Sequence, residues 1–200
     1  MCFNEEVLHQ LWSTELEIMD VFHSICVEHD LKYSLAFGSL IGAVRHKGFI
    51  PYKGFIPWDD DIDIIMPRED YETFIDLWNK LSPTGYVLQN KDTDTDFEQN
   101  FTKIRKLGTA FIQNESECSK KYHKGIFIDI APCDRVPLGK IKRTAHYIAC
   151  AVELLYSKEH TSGNGGWIGA IEKILLKCPN KYHAKIRRYA TNIHNRTLEL

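Results

Sequence analysis

The stretch Trp58-Asp59-Asp60-Asp61-Ile62-Asp63-Ile64-Ile65-Met66-Pro67 constrains this chain more than any other. Four carboxylates within five residues lead straight into an apolar run with the make-up of a short buried strand. Side chains alternate faces along a strand, so Asp61 and Asp63 are expected on one side and Ile62 and Ile64 on the other, toward a core. Neighbouring acids repel and raise one another's pKa, a cost that a bound divalent cation removes. Oxygen donors on a short rigid segment suit Mg²⁺ or Mn²⁺. The same residues also read as a solvated acidic turn ahead of a strand. The isoleucines directly behind the acids favour the metal site. Asp59 and Asp60 read as loop or outer residues.

Upstream, Lys32-Tyr33-Ser34-Leu35-Ala36-Phe37 reads as a strand that runs into Gly38-Ser39 and a short helix over Leu40 to Arg45. Glycine lets a ligand approach the backbone. A serine hydroxyl and the free N–H groups of a helix start can hold phosphate oxygens. Between this turn and the acids, Lys47-Gly48-Phe49-Ile50-Pro51-Tyr52 is followed at once by Lys53-Gly54-Phe55-Ile56-Pro57-Trp58. This tandem repeat is too short for a solenoid and reads as a local duplication that lengthens a loop, which folding tolerates.

The rest of the chain supplies strands and helices around these two features. Residues 4 to 30 form an amphipathic helix on the spacing of Leu8, Leu11, Ile18, Phe22 and Ile25, with a gap at Glu15 and Asn4 as N-cap. Pro67 ends the acidic strand and opens a helix over 68–81. Tyr86 to Gln89 and Phe101 to Lys106 read as strands. The Leu107-Gly108 turn is expected to fold Thr109 to Ile112 back as a hairpin. Lys103 and Arg105 share one strand face and either pair with acids or aim at a phosphate. Gly125 to Pro132 is a further apolar strand, and its single acid, Asp129, is expensive to bury unpaired. Asp129 is therefore the candidate third metal ligand, a salt bridge to Lys103 or Arg105 being the other reading. Helices are expected over 139–158, 167–177 and 181–198, and no domain boundary is legible, so a single domain 1–200 is expected.

A formal charge of -2 over 200 residues leaves no electrostatic footprint for nucleic acid. The six cysteines are widely spaced, with no C-x-x-C and no Cys/His cluster at zinc spacing, as suits a reducing compartment. The first residues lack the charged and apolar regions of a signal peptide, and no apolar run approaches the length of a membrane span. No Walker A and no G-x-S-x-G occur. A phosphate-holding turn beside strand-borne acids is instead what metal-assisted transfer of a phosphorus group requires.

The run from Phe37 to Gly48, with Gly54 to Ile64, Met66-Pro67-Arg68 and the Gly125-Ile126-Phe127-Ile128-Asp129-Ile130 strand, resembles the LicD family over roughly residues 20 to 135. That family contains bacterial phosphocholine transferases and fukutin-related sugar-phosphate transferases. The resemblance implies an α+β fold: a nucleotidyltransferase-like mixed sheet flanked by helices, with a helical C-terminal part over about 139–200. It implies Asp61, Asp63 and Asp129 as catalytic metal ligands for Mg²⁺ or Mn²⁺, and Gly38 and Ser39 as phosphate contacts. Arg45, Lys103, Arg105 and Trp58 complete the substrate-binding set. The implied reaction moves phosphocholine, or a related phosphoalcohol, from a CDP-choline-like nucleotide donor to a glycan acceptor such as teichoic acid or a lipopolysaccharide sugar. Choline recognition calls for aromatic faces, for which Trp58, Tyr52, Trp78 and Trp167 are available. Such a protein is expected to be cytoplasmic or peripheral to the inner face of the membrane. Two departures stand out. Family members carry one Lys-Gly-Phe-Ile-Pro-Trp where this chain has two, and they usually run longer, so a truncated form is expected. Two other readings stay open: a catalytically silent homologue that binds a nucleotide or a partner, and a nucleotidyltransferase acting on a small acceptor.

Overall fold

A computed structural model of the chain describes residues 5–46, 54–56, 58–94, 96–97, 99–112, 121–158 and 166–198. The chain divides between Cys133 and Asp134 into two compact units, a division for which the sequence carries no linker signal.

The first unit is built on a mixed five-stranded sheet. Helix α1 spans Glu5–Glu28, β1 Ser34–Leu35, α2 Phe37–His46, β2 Asp63–Pro67, α3 Arg68–Leu81, β3 Tyr86–Gln89, β4 Thr102–Lys106 and β5 Phe127–Cys133. The strand order is β1-β2-β5-β4-β3. Among the described residues β2 and β5 run parallel, and the other neighbouring pairs are antiparallel. The expected α+β class holds.

One sheet face is apolar. Ile64 and Met66 of β2, Ile104 of β4, and Ile128 and Ile130 of β5 are buried there with Ile18 and Phe22 of α1 and Phe74 and Trp78 of α3. Phe22 and Phe74 meet at a centroid distance of 4.9 Å, so the two helices touch over the sheet. Burying such side chains supplies roughly 2 kcal/mol each. Helix α1 ends where Asp30 adopts a left-handed φ of 53° and the Leu31 N–H returns to the Cys26 carbonyl at 2.9 Å, satisfying a carbonyl that the helix leaves open. The expected Asn4 cap lies outside the described residues.

Three local expectations change. The strand expected over 32–37 is only Ser34–Leu35, and α2 begins at Phe37, so Gly38 and Ser39 lie in the first turn of the helix and not ahead of it. The acidic strand begins at Asp63, which leaves Asp61 in a bend before it. Thr109 to Ile112 forms no strand, because both edges of β4 are taken by β3 and β5. Gly108 still turns the chain, at φ 76°.

The second unit is helical: α4 spans Lys140–Lys158, α5 Gly166–Leu175 and α6 His183–Leu198, with a 3₁₀ turn at Asn180–Tyr182. Ala149 and Leu155 of α4 and Ala190 of α6 are buried. The Tyr156 hydroxyl donates to the Leu175 carbonyl at 2.8 Å and ties α4 to the end of α5.

Candidate functional site

The sheet face opposite the core carries Asp63 of β2, Asp129 of β5 and Lys103 of β4. Parallel pairing sets Asp63 beside Asp129, and antiparallel pairing sets Asp129 beside Lys103. Adjacent strands lie about 4.8 Å apart, so this register builds a row of Asp63, Asp129 and Lys103 across β2, β5 and β4. The Asp129 N–H donates to the Ile62 carbonyl at 2.8 Å and extends the pairing to the mouth of β2. Asp61 reaches the row from the preceding bend. One carboxylate oxygen from each of Asp61, Asp63 and Asp129 falls within 4.8 Å of the others.

Packing three carboxylates this closely has an electrostatic cost. Burial pushes the Asp61 carboxyl up to about 6, with Asp63, Asp60 and Asp59 adding to it. Burial pushes Asp63 up to about 6, with Asp129 and Asp59 adding. Asp129 is raised to about 6, burial outweighing the opposing charge of Lys103. The Lys103 ammonium donates to both Asp129 oxygens, at 2.7 and 3.0 Å, and sits 3.3 Å from the centre of the Phe127 ring. One cation against three acids leaves an excess of negative charge. An all-oxygen donor set of this size fits a hard divalent cation. Mg²⁺ takes oxygens at about 2.0–2.1 Å in octahedral geometry.

The helix start beside the acids is held to them. Ser39 Oγ accepts from the Asp63 N–H at 2.8 Å and donates to the Asp61 carbonyl at 3.4 Å. The Ala36 N–H donates to the Asp63 carbonyl at 2.9 Å. The Ser39 hydroxyl therefore fixes the backbone on which both acids ride. Gly38 has a comparable use: a Cβ there would stand 2.2 Å from Asp59 Oδ2. Its missing side chain makes room for that carboxylate, which burial and Asp60 raise in pKa. A Cβ on Gly42 would stand 2.2 Å from the backbone oxygen of Gly54. The second repeat copy thus lies flush on α2, with Phe55 stacked on Trp12 at 4.9 Å and Phe55 and Ile56 both buried. The first copy lies outside the described residues.

The remaining candidates are dispersed. Arg105 lies in the interior, donating to Gln89 Oε1 at 2.6 Å and to the Gly125 carbonyl at 2.7 Å, with its guanidinium over Phe127. It bears on the acids through charge, lowering Asp129. Arg45 is exposed in the last turn of α2, and Trp58 is 73% exposed. Trp78 is in the core and can offer no ring face to a ligand. A cleft of about 400 Å³ lined by Arg68, Tyr71, Asn90, Lys91 and Phe101 among others contains none of the three acids.

One residue of the site is missed by sequence reasoning. Glu15 is fully buried in α1, and neither carboxyl oxygen has a hydrogen-bond partner. Burial pushes it up to about 10, and Asp61, Asp60, Asp59 and Asp129 add in that order. Glu15 is thus a protonated acid set against the carboxylate cluster. Its signal in the sequence is the gap it makes in the apolar stripe of α1. Trp12, one turn earlier, donates its indole N–H to the Asp59 carbonyl at 2.9 Å and secures α1 to the same loop.

The family description LicD/FKTN/FKRP, nucleotidyltransferase domain, matches residues 30–135, the stretch that holds α2, the acid row and Lys103. The chain belongs to the LicD family. It is 38% identical over 157 residues to the lipopolysaccharide cholinephosphotransferase LicD of Haemophilus influenzae, a match covering 73% of this chain and 55% of that protein. It is 26% identical over 131 residues to an uncharacterized protein of Rickettsia prowazekii, covering 63% of this chain and 47% of that protein. The chain spans about half the length of these two relatives. No solved structure matches the chain. Glu15 falls outside the stretch matched as LicD.

Proposed function

We propose that this LicD-family chain is a phosphotransferase that moves phosphocholine, or a related phosphoalcohol, from a CDP-linked donor to a hydroxyl of a lipopolysaccharide glycan. The convergence of Asp61, Asp63 and Asp129 on one point carries this reading. The similarity to the Haemophilus influenzae lipopolysaccharide cholinephosphotransferase supports the choline phosphate group and the acceptor class. Asp61, Asp63 and Asp129 would hold Mg²⁺ or Mn²⁺, which would neutralise phosphoryl charge and polarise the phosphorus centre. The chain's own residues do the positioning. Ser39 keeps the backbone of Asp61 and Asp63 in register. Lys103 orients Asp129 and offsets part of the acids' repulsion. Asp59 and Glu15 border the cluster as further acids. Trp58, exposed next to the acids in sequence, is available to a quaternary ammonium.

No helix among the described residues is long and apolar enough to cross a membrane. By the family resemblance we propose a cytoplasmic reaction, peripheral to the inner face of the membrane. The test is phosphorus NMR of the full chain with CDP-choline, Mg²⁺ and lipopolysaccharide. CMP is expected to appear only with the divalent cation, and Asp63→Asn is expected to slow its release by about 10³-fold. Donor that persists with metal present, or turnover indifferent to Asp63→Asn, overturns the reading. Release of phosphocholine in place of CMP identifies attack at the α-phosphorus, that is, nucleotidyl transfer to a small acceptor.

The tandem loop favours a second reading, a silent homologue that binds nucleotide or a partner. Deleting one copy of the repeat separates the two. Turnover gained only on deletion supports the silent form, and turnover by the intact chain ends it.

A further inference from the structure

The second unit holds a cluster that the proposed reaction does not use. His146 and Cys150 stand four residues apart on α4, so they share one helix face. His194 of α6 faces them, its ring 4.8 Å from that of His146 and nearly perpendicular to it. One donor atom each from His146, Cys150 and His194 lies within 4.8 Å of the others. Two carboxylates close the cluster. His194 Nε2 is 3.3 Å from Asp134 Oδ2, and His194 Nδ1 is 3.2 Å from Glu153 Oε2. Glu153 Oε1 accepts from the Thr191 hydroxyl at 2.8 Å. His146 and Glu153 are 5% and 6% exposed.

The geometry points to a zinc site in this unit, with His146, Cys150 and His194 as ligands and Asp134 completing a tetrahedron. Four considerations carry it. A thiolate with two imidazoles is a donor set for zinc and related late metals, whereas the acid row of the first unit offers oxygen alone. Zinc bonds of about 2.0–2.3 Å set tetrahedral donors roughly 3.5 Å apart, and shifts of about an ångström bring these side chains there. If Nε2 of His194 binds the metal, its Nδ1–H donates to Glu153, the carboxylate–histidine–metal arrangement that fixes ring orientation and tautomer. Thr191 fixes Glu153 in turn. A simple ion-pair network around His194 gives no part to Cys150, whose sulfur lies within 4.8 Å of a donor nitrogen of each imidazole. With metal bound, the thiol and imidazolium protons pass to solvent. The site joins α4 to α6 and the start of the unit at Asp134, and four protein ligands make it structural in kind.

The sequence conceals this site. His146-x-x-x-Cys150 and His194 match no short zinc signature, and only the packing of α4 on α6 unites them.

The test uses the full chain. Elemental analysis after purification without chelators is expected to find zinc in a one-to-one ratio. After exchange into cobalt(II), the protein is expected to show a thiolate-to-cobalt charge-transfer band and the visible bands of a tetrahedral ion. Cys150→Ser is expected to abolish the charge-transfer band. Glu153→Gln is expected to keep it while weakening cobalt binding about tenfold. Asp63→Asn is expected to leave it unchanged, which separates this site from the acid row. Absence of zinc together with absence of the band in the unaltered chain overturns the proposal, as does a band that survives Cys150→Ser. The outcome does not depend on whether the chain transfers phosphocholine.

Discussion

At the scale of single residues, the acid row and Glu15 make the same demand on pH over different windows. Glu15 is an acid whose folded pKa, about 10, lies above its ordinary value of 4.5. The native state then binds more protons than the unfolded state between those values, so stability falls as pH rises through that window. At pH 7 the penalty is about 3 kcal/mol, from roughly 1.4 kcal/mol per pH unit above 4.5. Glu15→Gln keeps the shape and removes the titration. The variant is expected to gain stability over the unaltered chain at pH 8 and to match it at pH 4, as chemical denaturation at both values will show. Asp61, Asp63 and Asp129, raised to about 6, add a second loss between pH 4 and 6. Lys103 makes a different prediction. Replacing it by Met leaves Asp129 buried with its ion-pair partner gone, a change expected to cost about 3–5 kcal/mol, read as a lower denaturation midpoint. Added Mg²⁺ is expected to recover part of that loss.

At the scale of elements, the contact of α2 with Gly54 and Phe55 is a tight joint near the site. Gly42→Ala forces a methyl group onto the Gly54 carbonyl. Backbone cannot yield as a side-chain end can, so a loss of about 1–3 kcal/mol is expected in thermal unfolding. Gly38→Ala meets only the end of the Asp59 side chain and is expected to cost less in stability while disturbing the acids. The helices and inner strands were legible in the sequence because their apolar residues repeat at the right periods: α1, α3, β3 and β5 fall close to where Phe22, Phe74, Leu88 and Ile128 put them. Register was not legible. Nothing local says that Asp63 must lie beside Asp129, since that follows from a parallel pairing of distant segments. The hairpin at Thr109 failed for the same reason: local turn chemistry at Gly108 competes with long-range partners for the edges of β4. Glu15 reads as an imperfection in a helix until the acids are in view. Ser39 reads as a phosphate contact, and only the fold shows that its hydroxyl also accepts from the Asp63 N–H.

At the scale of the whole molecule, the two units have different chemical characters, one an acid-lined sheet and the other a histidine- and cysteine-bearing helical bundle. A ligand that binds only the native state stabilises it by mass action, about 2.7 kcal/mol at a hundredfold excess over its dissociation constant. Mg²⁺ is therefore expected to raise the melting transition of the sheet unit, and Asp63→Asn to cancel that rise, as calorimetry with and without the cation will show.

The parallel pairing of β2 with β5 also sets the order in which the site comes into being. Hydrogen-bonded contacts between segments far apart in the chain close late, because the loop entropy between them is lost before the contact rewards it. Asp63 and Asp129 meet only through that pairing, whereas Asp61 and Asp63 are neighbours from synthesis onward. A refolding chain thus owns two of its three carboxylates in place early and gains the third last. If the acids hold a cation as proposed, its affinity is expected to appear only once the central strands have found each other.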